Sequence, residues 1–93
     1  MSKTFYVYIA TNDNNYLLYT GVTNNLRRRI QEHKTGTGGK FTSNYKISKL
    51  VYFEEYKDIR DAIPREKQIK AGSRKKKIEL VKTLNPEWSD LAT

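Results

Sequence analysis

The sequence predicts an α+β fold, a small three-stranded antiparallel sheet flanked by helices in the order ββαβαα. Three observations carry this expectation. "TFYVYIAT" and "YLLYTGV" are strand-like runs on either side of an Asn/Asp turn, "NDNN". "ISKLVYFEEY" is a third run rich in branched and aromatic residues. Between and after them lie segments with helical spacing and cap residues at both ends. A chain of 93 residues suits one domain, spanning 1–93. Its core is expected over about 4–84, with a tail, 85–93, docked on it.

Each element has a local cause. In the first strand Phe5, Val7 and Ile9 share one face, and Tyr6 and Tyr8 the other. With the returning strand, the first 22 residues read as a β-hairpin. Asn24 or Asn25 can cap the helix that follows, and Gly36 can end it. "TGTGGKFTSNYK" is a polar, glycine-rich connection without the spacing of a phosphate-binding P-loop. "DIRDAIPREKQIKAG" is helical; Pro64 either falls in the first turn of a helix starting near Asp61 or kinks a longer one. Gly72 closes that helix, Ser73 caps a last one running to about Leu84, and Pro86 stops it. The tail, "NPEWSDLAT", is expected to dock through Trp88 and Leu91.

Composition narrows the function classes. The absence of cysteine excludes disulfides and thiolate metal sites, and one histidine cannot build a nitrogen-rich cage. A metal here would be a hard cation on oxygen ligands, Mg²⁺ foremost. No segment approaches the roughly 20 apolar residues of a membrane span. The start of the chain lacks a signal peptide's apolar region, so the expectation is a soluble, cytoplasmic protein with no membrane partner. The formal charge of +8 and pI near 9.8 favour a polyanion, nucleic acid first. The excess is local, since residues 65–82 carry eight Lys or Arg against two Glu. A solvated helix face is the plainer account of such a run.

Two polar residues fall on apolar helix faces. At about 100° per residue, Leu26, Arg29, Ile30 and His33 share one arc, while Arg27, Arg28, Gln31 and Glu32 fall outside it. Arg29 is then a guanidinium lying along the helix flank or paired with a structural carboxylate, or a charge presented to an anion in a cleft. His33 is a satisfied core-edge histidine or a catalytic one. On the next helix Ala62, Ile63, Glu66 and Ile69 share an arc, which puts a carboxylate on an apolar stripe. An unpaired ion there is costly, so Glu66 pairs with Arg29, ligates a metal ion, or does both. Tyr8 and Tyr19 stand on the hairpin strands, where sheet packing is the usual role. Gly21 leaves room for a ligand or backbone to come close.

Taken in order, these residues resemble the GIY-YIG nuclease superfamily, and in particular its small stand-alone members. The two tyrosine motifs appear as Tyr6-Val7-Tyr8 and Tyr19-Thr20-Gly21. Arg29 follows Tyr19 by ten positions, His33 follows by four more, and Glu66 lies in "REKQIK". The resemblance covers about 4–84. Tyr6 stands where the family opens its first motif with glycine, and Ile78 where several members carry an asparagine.

The resemblance implies metal-dependent hydrolysis of nucleic acid phosphodiesters, with DNA favoured over RNA. Tyr8, Tyr19, Arg29, His33 and Glu66 would be catalytic. Glu66 would hold a single Mg²⁺, or Mn²⁺, Arg29 would stabilise charge on the phosphoryl oxygens, Tyr8 or Tyr19 would activate water, with Tyr8 favoured as base and Tyr19 as positioner, and His33 would orient or relay. Arg27, Lys40, Lys70, Arg74 and Lys75 are candidates for backbone phosphate contacts, which give affinity rather than sequence choice. The expected role is a nuclease of low sequence specificity in DNA repair or recombination, with targeting left to an unidentified protein partner. Two other classes compete: a nucleic-acid-binding module without turnover, and a basic interaction protein such as one bound to ribosomal RNA. Retention of Tyr8, Tyr19, Arg29 and Glu66 together separates the first from both, because a binding module has no use for a carboxylate facing phosphate.

Overall fold

The computed structural model describes residues 3–36 and 46–92. Strands β1 (Phe5–Thr11) and β2 (Leu18–Thr23) form a hairpin, followed by helix α1 (Leu26–Thr35), strand β3 (Lys49–Tyr56), helix α2 (Ile59–Ala71) and helix α3 (Arg74–Leu84). The sheet has three antiparallel strands, as the sequence led us to expect, and the structure orders them β2-β1-β3. The hairpin places Tyr8 opposite Gly21, and the β1–β3 ladder is irregular between Ile9 and Ala10.

The returning strand starts two residues later than its composition suggests. Asn12 accepts hydrogen bonds at Oδ1 from the amides of Tyr16 and Leu17, at 2.9 and 3.0 Å. Those amides are therefore held in the turn, which Asn15 completes with φ of 59°.

Both faces of the sheet are covered. Val7 and Ile9 pack with Val51, Ala62, Ile69 and Val81, which places α2 and α3 on one side. Tyr8 and Ala10 pack with Ile30, Ile47 and Leu50, which places α1 on the other. Burying a side chain such as Ile30 contributes roughly 1.5–3 kcal/mol. Asn25 caps α1 by accepting from the Arg28 amide, and Gly36 ends it at φ 81°. Asp58 caps α2 at Ile59, so Pro64 lies inside the helix rather than in its first turn. The carbonyl that Pro64 leaves without an intrahelical donor belongs to Arg60, which is exposed to water.

The apolar arc expected on α2 is rotated. Ala62 and Ile69 are buried, but Ile63 is 39% exposed. Arg65 turns toward the sheet in its place, donating from Nε and Nη2 to the two oxygens of Glu54 on β3, each at 2.9 Å. Tyr52 and Tyr56 donate their hydroxyls to the same carboxylate.

The tail passes along the outer edge of β3. The Leu91 amide donates to the Leu50 carbonyl at 2.7 Å, and the Leu50 amide donates to Asp90 Oδ1 at 3.1 Å. Trp88 packs on the α2–α3 side and Leu91 on the α1 side. Asn85, which ends α3, binds the Val51 carbonyl and both the amide and the carbonyl of Ser89 through its side chain.

Candidate active site

Tyr8 is the centre of the arrangement. Its ring folds across β2, where a Cβ placed on Gly21 would meet its hydroxyl at 2.6 Å and its ring carbons at 2.7 and 2.9 Å. The close approach at Gly21 is therefore made by a side chain, the Tyr8 phenol, in place of the ligand or backbone for which the glycine left room. Helix α1 brings Arg29 and His33 over the same ring. The Asn25 cap sets the helix rotation that points both inward and leaves Arg27 and Arg28 in water, as the angular spacing anticipates.

The hydrogen bonds define proton positions. Arg29 Nε donates to the Tyr8 hydroxyl oxygen at 3.3 Å, and that oxygen lies 3.0 Å from His33 Nε2. Arg29 offers no lone pair, so of these two neighbours only His33 Nε2 can accept the Tyr8 proton, as it does in the Nδ1-protonated tautomer. In that tautomer His33 carries its proton on Nδ1, which is buried without a hydrogen-bond partner among the described residues. Tyr19 also hydrogen-bonds Arg29. Its ring meets His33 edge-on, with centroids 5.2 Å apart, and stands 6.2 Å from the ring of Tyr8. Glu32 accepts from Arg29 Nη1 at 3.3 Å.

Burial and charge fix the protonation states. Burial pushes the Tyr8 phenol up to about 12, against the hydrogen bond from Arg29. Burial and then the Arg29 charge bring the His33 imidazole down to about 4. Burial opposes the Arg29 charge, but hydrogen bonds to Tyr8, Tyr19 and Glu32 hold its pKa above the usual value. At neutral pH the group is a phenol, a neutral imidazole and a fixed cation.

Glu66 is on the other side of the sheet. Its carboxylate is 14% exposed and pairs at 3.6 Å with Lys70, one turn on along α2. The Arg29–Glu66 ion pair considered from sequence is replaced by two pairs, each within its own helix, because β2 lies between α1 and α2. The halves approach at the β2 edge. Lys70, the partner of Glu66, and Tyr19, the partner of Arg29, line one cleft of about 290 Å³ with Leu18, Thr20 and Lys77. The structure thus brings Tyr8, Tyr19, Arg29 and His33 into contact and leaves Glu66 outside that group, its partner Lys70 lining the edge cleft that Tyr19 also lines.

Among the described residues no three acidic, histidine or cysteine side chains gather in a metal-binding group. One partly buried carboxylate matches the donor set of Mg²⁺, which keeps most of its waters and takes the rest of its ligands from substrate phosphate. Glu66 fits that role if Lys70 swings away.

The phosphate-contact candidates are spread over the surface. Arg27 and Lys75 are exposed, and Lys70 faces the edge cleft. Arg74 lies over the ring of Tyr16, 5.6 Å from its centroid. Lys40 falls outside the described residues. Sequence reasoning missed Lys77 and Tyr16. Lys77 follows Lys70 by seven residues across a helix break, and Tyr16 is concealed in what reads as strand. It also missed the Glu54–Arg65 pair, whose partners are far apart in sequence.

A GIY-YIG catalytic domain model matches residues 4–79, and the chain belongs to the GIY-YIG family. A UPF0213 protein of Syntrophus aciditrophicus is 40% identical over 88 residues, covering 94% of this chain and 98% of its own. Another, from Clostridium perfringens, is 47% identical over 64 residues, 69% of each chain. The solution NMR structure of a UPF0213 protein from Bacillus halodurans matches with a TM-score of 0.59 at 31% identity, covering 94% of this chain and 92% of that one. The family implies a nuclease-like protein acting on nucleic acid. No helix among the described residues is long and apolar enough to cross a membrane.

Proposed function

We propose that the protein is a metal-dependent endonuclease that hydrolyses DNA phosphodiesters with low sequence specificity, serving repair or recombination. One observation carries the reading: Arg29 is held charged against the hydroxyls of both motif tyrosines, beside a neutral histidine. A preorganised guanidinium favours the charge that builds on a phosphoryl group in the transition state. Mg²⁺, held by Glu66 and phosphate oxygens, would supply charge neutralisation at the scissile group.

The tyrosine base has a defined requirement. Tyr8 holds its proton, so it accepts one from water only by passing its own to His33 Nε2. In the resting site that transfer runs uphill, from a phenol near 12 to an imidazole near 4. A bound phosphate that balances Arg29 would raise the Tyr8 phenol and the His33 imidazole together, strengthening the acceptor while weakening the donor. A second assignment exchanges the two phenols. Tyr8 is 1% exposed, whereas Tyr19 is half-buried and faces the edge cleft, so Tyr19 would meet the substrate and Tyr8 would orient Arg29.

Nicking of supercoiled plasmid and of branched DNA tests the reading. Wild type should nick with Mg²⁺ or Mn²⁺ and not with EDTA, and Glu66→Gln and Arg29→Ala should each lose about a hundredfold or more. DNA binding without cleavage on any substrate would leave a binding module. Tyr8→Phe and Tyr19→Phe separate the two assignments, since only loss of the base abolishes turnover at every pH.

A further inference from the structure

Tyr16 is 68% exposed, the most exposed of the large hydrophobic side chains among the described residues. Its backbone is held in the turn all the same. Asn12 and Asn14 both accept from its amide, at 2.9 and 3.2 Å, and Asn15 fixes the turn before it. Arg74, at the start of α3, covers one face of the ring at 5.6 Å. With one face covered and so much surface still accessible, the other face is open to solvent. Two residues on, Leu18 opens the edge cleft that Lys70 and Lys77 share with Tyr19.

We propose that Tyr16, backed by Arg74, is a stacking platform for an unpaired base, placed along the β2 edge from the reacting phosphate. A flat, preorganised ring binds a base without first being ordered, and an arginine on its far face adds charge for the adjoining phosphate. Lys70 and Lys77 then carry the strand along the cleft toward Tyr19 and Arg29. This deepens the nuclease reading by naming its substrate class: DNA in which a single-stranded arm leaves a duplex. A base inside a blunt duplex is already stacked on its neighbours and gains nothing from the ring.

The test measures binding, so it does not depend on turnover. Fluorescence anisotropy with Ca²⁺ replacing Mg²⁺ compares a blunt duplex with the same duplex bearing a short single-stranded arm. Wild type should prefer the armed duplex by about tenfold. Tyr16→Ala should abolish the preference and leave blunt-duplex affinity unchanged, while Tyr16→Phe should keep it, because the ring and not the hydroxyl stacks. A 2-aminopurine at the first unpaired position should be quenched by wild type and not by Tyr16→Ala. No arm preference in wild type, or equal losses on both DNAs in Tyr16→Ala, overturns the platform. Plasmid nicking that is absent while the arm preference persists removes the nuclease reading and leaves the platform standing.

Discussion

Gly21→Ala isolates the contact around which the candidate site is built. The added methyl would stand 2.6 Å from the Tyr8 hydroxyl and 2.7 Å from the ring carbon bearing it. Ordinary contact begins near 3.4 Å, so the phenol must move by most of an ångström. Overpacking of this kind costs about 1–3 kcal/mol. The displaced hydroxyl also loses His33 and Arg29, one buried and one part-buried hydrogen bond contributing about 1 kcal/mol each. A loss of roughly 2–5 kcal/mol is expected in urea unfolding, with nicking lost alongside. The control is the same change beside Tyr8→Ala. Gly21 has no left-handed backbone requirement, and alanine is better than glycine in a strand by about 0.5–1 kcal/mol. In that background Gly21→Ala should become neutral or stabilising. An equal penalty in both backgrounds would refute the claim that the Tyr8 ring is why the position is glycine.

Three further expectations rest on protonation and charge. Burial alone would raise the Glu54 carboxyl, but hydrogen bonds from Arg65, Tyr52 and Tyr56 hold it at about 2, below the ordinary 4.5. Its contribution, roughly 3 kcal/mol, is complete above pH 4.5 and lost as pH falls through 2; Glu54→Gln should flatten that part of the acid-unfolding curve. His33 is the chain's one histidine, so its ring signals in NMR report it alone. They should stay those of a neutral, Nδ1-protonated ring until pH nears 4, and stability should fall as pH drops from about 6.5 toward 4, where the unfolded histidine binds its proton first. Arg29→Lys should lower nicking almost as far as Arg29→Ala, since a single ammonium nitrogen lacks the planar fork whose Nε and Nη1 reach Tyr8 and Glu32 separately; activity near wild type would sink the fork's role.

What the sequence could reveal was governed by range. The inward aim of Arg29 and His33 follows from helical angle, which neighbouring residues fix, and the structure keeps it. The Asn25, Gly36, Gly72 and Ser73 boundaries follow from cap chemistry and also hold. Ile63 was placed inward by the same angular rule on α2, and that failed because Glu54, nine residues earlier on another element, draws Arg65 to the sheet. The depth of Tyr8 was equally illegible, since alternation gives its face but not that a glycine opposite lets the ring lie flat. Tyr16 was assigned to a strand because β-propensity speaks louder than an asparagine four residues away.

Asn85 has a consequence for how the molecule opens. Its backbone amide closes the last turn of α3 on Val81, while its side chain holds Val51 in the sheet and Ser89 in the tail. Helix end, strand and tail thus share one rivet, and none can fray while the other two stay shut. The Leu50 amide, shielded by Asp90, should exchange its hydrogen at the same rate as the last amides of α3. The half of the protein far from the β2 edge then breathes as one cooperative unit, leaving local motion to the edge where a nucleic acid strand would enter.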